Sequence, residues 1–241
     1  MNVALLGYGK MGKAIEQVAL GRGHSVPLKV DTANAGSSPK GCDVAIEFTK
    51  PDQALENMRL CLESGVPIIV GTTGWYDRMA EVKAMVQANQ GSLLWASNFS
   101  IGVNLFFRVN KFLAGLMNDQ PGYRVHVDEV HHLHKLDAPS GTAITLARDI
   151  DLKTHRYAGW ELAPAPYSPS PSSTLVPIVS ERIGDVPGKH SVTWTSTEDK
   201  ITITHDAFGR QGFAIGAVVA AEWLKGRQGF FTMDDVLDLS R

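Results

Sequence analysis

The run from Glu129 to Thr142, Glu-Val-His-His-Leu-His-Lys-Leu-Asp-Ala-Pro-Ser-Gly-Thr, gathers three histidines, a lysine and two acids in one short stretch. A lysine beside histidines suits proton transfer, because both side chains can carry a proton to or from a reacting atom. The Ser140-Gly141-Thr142 turn stands where a helix would start, so it offers N–H donors and a hydroxyl to an anion, most naturally a carboxylate. The plain alternative is an ordinary Ser or Thr helix cap. His131, His132 and His134 have the chemistry for zinc, but no further Cys or His falls at a familiar ligand spacing, and no metal is expected. His126 lies inside an alternating strand pattern and reads as a surface or packing residue.

A second cluster opens the chain. Gly7-Tyr8-Gly9-Lys10-Met11-Gly12 follows the apolar run Val3 to Leu6 and precedes an amphipathic segment, Lys13 to Arg22. This is the strand–loop–helix setting that a dinucleotide fingerprint requires. Gly7 permits the tight turn, Gly9 lets the backbone approach a pyrophosphate, and Gly12 lets the helix pack close to the strand. Asp31 ends the next strand, where an acid can meet the adenosine ribose hydroxyls. Thr32 stands where an NADP-binding site often has arginine, which favours NADH over NADPH, although Lys10 or Lys40 could still meet a 2′-phosphate.

The elements that must hold these clusters follow from periodicity. Strands are predicted at Val3–Leu6, Ser25–Val30, Val44–Phe48, Val66–Val70 and Leu93–Ala96, alternating with helices over 13–22, 51–64 and 77–88. Thr49 is the expected cap of the second helix, with Pro51 in its first turn. Alternation of this kind predicts a doubly wound parallel sheet. After a helix over 103–117 the pattern changes to alternating strands at 123–130, 175–183, 191–197 and 201–207, which predict a mixed or mostly antiparallel sheet. Ala163 to Ser173 is read as a loop or crossover. A helix over 212–225 and a capped helix start at Thr232–Asp235 close the chain. The expected fold class is α/β: a doubly wound dinucleotide-binding domain over roughly the first hundred residues, followed by an α+β region with a mixed or mostly antiparallel sheet.

Composition narrows the partners. At 241 residues, 44% hydrophobic and 20% charged, the chain can bury a substantial core. A formal net charge of -2 gives no field for nucleic acid or a membrane surface. Two cysteines, Cys42 and Cys61, make no disulfide framework. With no signal-peptide pattern at the N-terminus and no apolar run of membrane-spanning length, a cytoplasmic protein is expected.

The residues from His131 to Ala143 resemble the signature of the dihydrodipicolinate reductase family, the reductases of bacterial diaminopimelate and lysine synthesis. Gly7 to Gly12 resembles that family's dinucleotide loop, and Gly71-Thr72-Thr73 and Ala96-Ser97-Asn98-Phe99 look like its other cofactor segments. Arg182-x-Gly-Asp-x-x-Gly-x-His190 and His205-x-Ala-x-x-Arg-x-x-Phe-Ala-x-Gly-Ala217 look like its later motifs. The resemblance implies reduction of 4-hydroxy-tetrahydrodipicolinate to tetrahydrodipicolinate by NADH or NADPH, with loss of water. It implies His131 as acid/base and Lys135 as proton donor. It also implies His132, Gly141 and Thr142, with Ser140 adjacent, as the hold on a small cyclic dicarboxylate. The resemblance also implies a Rossmann-type dinucleotide-binding domain over 1–100 and 211–241, completed by the C-terminal helices, and an α+β domain over 101–210 that carries the substrate site and builds a homotetramer. The chain departs from the family in its shorter glycine loop, in lacking an arginine after Asp31, and in a brief 163–173 region, which bear on cofactor choice and on tetramer contacts. The rival functions are another nicotinamide-dependent amino-acid or aldehyde dehydrogenase and a non-catalytic dinucleotide sensor. Neither has a use for His131 and Lys135 beside an anion-binding turn.

Overall fold

The computed structural model describes residues 1–167 and 173–238. It divides into two compact units, Met1–Ile101 with Arg210–Arg241, and Gly102–Gly209.

The first unit is built on parallel strands β1 (Asn2–Leu6), β2 (Ser25–Val30), β3 (Val44–Glu47), β4 (Ile68–Val70), β5 (Ser92–Trp95) and β11 (Gly229–Phe231), in the order β11-β5-β4-β3-β1-β2. Val3–Leu6 of β1 and Val44–Ile46 of β3 are buried apolar runs, as parallel strands covered on both faces are. One face packs on α1 (Lys10–Gly21), α6 (Gln211–Leu224) and α7 (Met233–Val236) through Ile15, Val18, Ala217, Val218 and Met233. The other packs on α2 (Pro51–Glu63) and α3 (Met79–Ala88) through Met58, Cys61, Leu62 and Val82. Each fully buried Leu, Ile or Val of this kind stabilises by roughly 1.5–3 kcal/mol. The chain order reverses between β1 and β3, so the crevice at their carboxyl ends is the switch point at which such sheets bind ligands.

Three details differ from expectation. Strand β11 is too short for periodicity to declare it, and it forms by pairing with β5. Tyr76–Arg78 is a separate 3-10 turn ahead of α3. Thr49 does not cap α2: the N-cap is Lys50, and the Thr49 hydroxyl donates to Glu47 instead. The expected capping box at Thr232 is present, with Asp235 reaching back to the Thr232 N–H at 2.7 Å.

Glu47 is an acid at the buried end of β3. Its Oε1 accepts from the Thr49 N–H and the Thr72 hydroxyl, both at 2.9 Å, while Oε2 is buried with no hydrogen-bond partner among the described residues. Burial pushes its carboxyl above the ordinary 4.5, against the pull of the threonine hydrogen bonds. A raised carboxyl pKa in the folded state contributes stability at low pH that is lost as pH rises through the folded value. Glu47→Gln keeps an acceptor for both threonines without the titration. Its melting temperature is therefore expected to gain on that of the wild type as pH is raised from about 4 to about 8. A difference between the two proteins that does not move with pH would contradict this.

The second unit is a mixed sheet in the order β10-β9-β6-β8-β7. Its strands are β6 (Arg124–His131), β7 (Trp160–Ala163), β8 (Val176–Arg182), β9 (Lys189–Thr195) and β10 (Lys200–Asp206). β6 runs parallel to β8 and antiparallel to β9. β7 was not anticipated. It starts just before the stretch expected as a loop and pairs with β8, and residues 168–172 of that stretch lie outside the described residues. Helix α5 (Gly141–Lys153) lies on one face through Ala143, Leu146, Ala147 and Ile150, against Val125, Val127, Ile178, Val192 and Trp194. Phe106, Ala114 and Met117 of α4 (Ile101–Met117) join the same cluster. Among the described residues no helix is long and apolar enough to cross a membrane.

Candidate active site

Strand periodicity creates the centre of the second unit. Along β6 the residues that face α5 are Val125, Val127, Glu129 and His131, so the buried face turns from apolar to ionisable in its last two positions. Glu129 is fully buried. Its Oε2 pairs with His131 Nδ1, and its Oε1 accepts from the Ser140 N–H at 3.2 Å, from the Ser180 hydroxyl, and from the Arg182 guanidinium at 3.0 Å. Burial would push this carboxyl up, but hydrogen bonds from His131, Ser180 and Arg182 outweigh it and hold Glu129 at about 2.

Register brings in the distant members. Ser180 on β8 and His190 on β9 both stand opposite Glu129, and Arg182 stands opposite His131. The His190 ring lies edge-on to His131 at 5.0 Å. Burial and the neighbouring His131 hold His190 down at about 3, so it is a neutral imidazole at physiological pH. The Ser140 hydroxyl accepts from the Ala143 N–H at 3.2 Å, which caps α5, and has its own proton to give His190 Nε2 at 2.9 Å. Ser140 is thus committed to partners within the chain. The N–H groups of Gly141 and Thr142, in the first turn of α5, have no intrahelical acceptor and carry the positive end of the helix dipole. Gly188 is buried beside His131, and a Cβ added there would come within 3.0 Å of His131 Nε2.

The loop after β6 carries the remaining candidates. Lys135 Nζ is bound to both carboxylate oxygens of Asp137, at 2.8 and 2.9 Å. Arg182 ties this loop down through the Lys135 carbonyl at 3.3 Å and the Asp137 carbonyl. His132 is half-buried with Nδ1 lacking a hydrogen-bond partner among the described residues, and its ring lies 6.2 Å from that of His134, which is exposed. His126 pairs with Asp128 at 3.1 Å on the opposite face of β6. Glu129, His131 and His190 each present one possible metal-ligand atom, all within 4.8 Å of one another, a grouping that sequence spacing did not reveal. The Arg182 guanidinium already occupies that carboxylate, which disfavours a second cation there.

In the first unit, the nucleotide candidates collect at the carboxyl ends of adjacent strands. Gly7 takes φ +100°, and a Cβ there would lie 2.0 Å from the Phe48 carbonyl oxygen. A Cβ on Gly12 would lie 2.2 Å from the Gly7 oxygen. Gly9 differs: an added Cβ meets nothing within 4 Å, so nothing in the chain itself requires glycine there. Gly9 is the N-cap of α1, with no side-chain cap and no acid in the first turn, an arrangement that fits a dinucleotide pyrophosphate. Lys10 is exposed, whereas Met11 packs into the core and the Tyr8 hydroxyl donates to Glu16. Asp31 Oδ1 accepts from the Ala33 N–H at 2.8 Å on the exposed end of β2. Of the other segments, Gly71 lies against the Phe48 ring, Thr72 is held by Glu47, and Thr73 and Ser97 are exposed. Asn98 accepts from the Ser100 N–H at 2.8 Å, and Ala96 and Phe99 are core residues.

Sequence similarity shows the family of the chain. Residues 1–99 match the family model described as dihydrodipicolinate reductase, N-terminus, and residues 102–237 match that described as dihydrodipicolinate reductase, C-terminus. The 4-hydroxy-tetrahydrodipicolinate reductase of Christiangramia forsetii is 46% identical over 239 residues, covering 98% of each chain. That of Neisseria meningitidis is 36% identical over 234 residues, covering 93% of this chain and 84% of its own. The dipicolinate-bound dihydrodipicolinate reductase from Paenisporosarcina sp. TG-14 shares the fold, with a TM-score of 0.77 at 22% identity, covering 96% of this chain and 97% of that one. The chain belongs to the dihydrodipicolinate reductase family.

Proposed function

We propose that His131 and Lys135 move protons in this family's reaction, the nicotinamide-dependent reduction of 4-hydroxy-tetrahydrodipicolinate to tetrahydrodipicolinate with loss of water. The observation that carries the reading is that one buried carboxylate, Glu129, holds both His131 and Ser140, the N-cap of α5. Gly141 and Thr142 N–H groups and His132 hold the substrate's carboxylates, fixing the ring in one orientation. The reduced nicotinamide, when bound at the Gly7–Gly12 loop, supplies the hydride. Once the 4-hydroxyl has left as water, the unsaturated ring can take the hydride at C4, and the electron density then left on the ring takes a proton from Lys135, with His131 as partner acid/base. The Lys135–Asp137 pair supports this. It joins neighbours on an exposed loop and is worth about 0–1 kcal/mol, so exchanging Asp137 for a substrate carboxylate costs little.

NADH is the favoured reductant on the strength of Asp31, which stands exposed at the end of β2 and is followed by Thr32. Asp31→Ala is expected to raise the KM for NADH by about 10- to 100-fold, the equivalent of losing a charged hydrogen bond. An unchanged KM for NADH would remove this support. Assembly as a homotetramer is supported by Leu105, Val109, Phe112 and Leu116, which are exposed along one face of α4. The reading is tested by mixing the protein with each reduced nicotinamide and 4-hydroxy-tetrahydrodipicolinate made in situ. Substrate-dependent loss of the reduced-nicotinamide absorbance, faster with NADH, is expected. No loss with either cofactor would overturn it.

A further inference from the structure

We propose that Glu129 is a positioning residue whose carboxylate fixes the His131 imidazole and the start of α5 as one unit. The inference rests on the reading of His131 as acid/base and extends it to a residue two positions away on the same strand face. Three observations carry it. The carboxylate is fully buried, and one oxygen is given wholly to His131 Nδ1. The other oxygen gathers Ser180, Arg182 and the Ser140 N–H, so Glu129 has one orientation available. On the far side of the ring, Gly188 leaves the edge beside Nε2 without a side chain.

The consequence is a single tautomer. A carboxylate only accepts, so Nδ1 must carry a proton, and in the neutral ring Nε2 is left as the lone-pair nitrogen that can exchange a proton with a reacting group. The same carboxylate fixes Ser140, whose hydroxyl caps α5, so the acid/base and the anion-binding turn cannot drift apart independently. A buried carboxylate that orients an imidazole serves catalysis in this way without itself gaining a proton.

Nitrogen-15 NMR of the wild-type imidazoles, assigned with a His131→Gln variant, reads the tautomer directly. Near neutral pH the His131 signal is expected to report a protonated Nδ1; a ring exchanging between both neutral tautomers would overturn the proposal. In Glu129→Gln, kcat is expected to fall by about 10- to 1,000-fold, with little change in the KM for nicotinamide, and the fixed tautomer is expected to be lost. Glu129→Gln combined with His131→Gln should have a kcat no lower than His131→Gln alone, because the amide oxygen in Glu129→Gln still accepts from the Ser140 N–H and only the His131 link is lost. Additive losses, or wild-type kcat in Glu129→Gln, would overturn the proposal and leave the role of His131 standing. Wild-type turnover in His131→Gln alone would instead remove the reading on which it rests.

Discussion

Lys135→Ala is expected to lower kcat by about 100- to 10,000-fold, and His131→Gln is expected to have an effect of the same order, while nicotinamide affinity stays near that of the wild type. Positioned proton transfer accounts for that range, and neither side chain belongs to the nucleotide loop. The variants should differ in the rest of their kinetics. His131 is buried and held by Glu129, so its replacement is expected to remove only the proposed acid/base and to leave the KM for substrate near that of the wild type. Lys135 pairs with Asp137 on the loop after β6, so Lys135→Ala is also expected to weaken the hold on an anionic substrate and to raise its KM. Steady-state kinetics with substrate and cofactor varied separately distinguishes the two patterns. Wild-type turnover in either variant would remove that residue from the mechanism.

Arg182→Ala is the second large effect, and it falls on stability first. Removing the guanidinium leaves Glu129 buried and short of its cationic partner, a loss worth about 3–5 kcal/mol. A melting temperature lower by roughly 10 °C is the expected reading. The pH dependence gives the mechanism. Glu129 is depressed from an ordinary 4.5 to about 2, so its contribution is present above the unfolded value and lost as pH falls through the folded one. Without Arg182 that depression is smaller, so the gap between variant and wild type should be widest near neutral pH and narrow as the solution is acidified. A gap constant with pH would mean that Arg182 acts through packing alone. Arg182→Lys should not restore stability in full. The wild-type fork reaches Glu129 and the Lys135 and Asp137 carbonyls at once, and a single ammonium cannot span them.

Much of the first unit was legible because parallel strands buried on both faces appear as apolar runs bounded by glycine. The Gly7–Gly12 loop also announced itself through residue types that its backbone requires. The proposed proton-transfer pair and anion-binding turn could be read because they lie in one continuous stretch. The support beneath them was not. Ser180 and His190 reach Glu129 through strand register, with His190 fifty residues from the Ser140 it binds, and register is a property of pairing that no local pattern carries. Glu129 itself was within reach: on a strand, residues two apart share a face, so the residue two before His131 had to point the same way. Thr49 shows the opposite failure. Its type and place suit a cap, but a buried acid two residues earlier claimed the hydroxyl.

The most direct measurement of the central claim follows the hydride itself. The protein is supplied with 4-hydroxy-tetrahydrodipicolinate and with reduced nicotinamide deuterated at the transferring carbon, and the product is analysed by mass spectrometry and NMR. The predicted result is tetrahydrodipicolinate carrying a single deuterium on its ring, formed by the wild type and nearly absent with His131→Gln and Lys135→Ala. Oxidation of the nicotinamide with no deuterium in the product, or equal labelling by all three proteins, would contradict it.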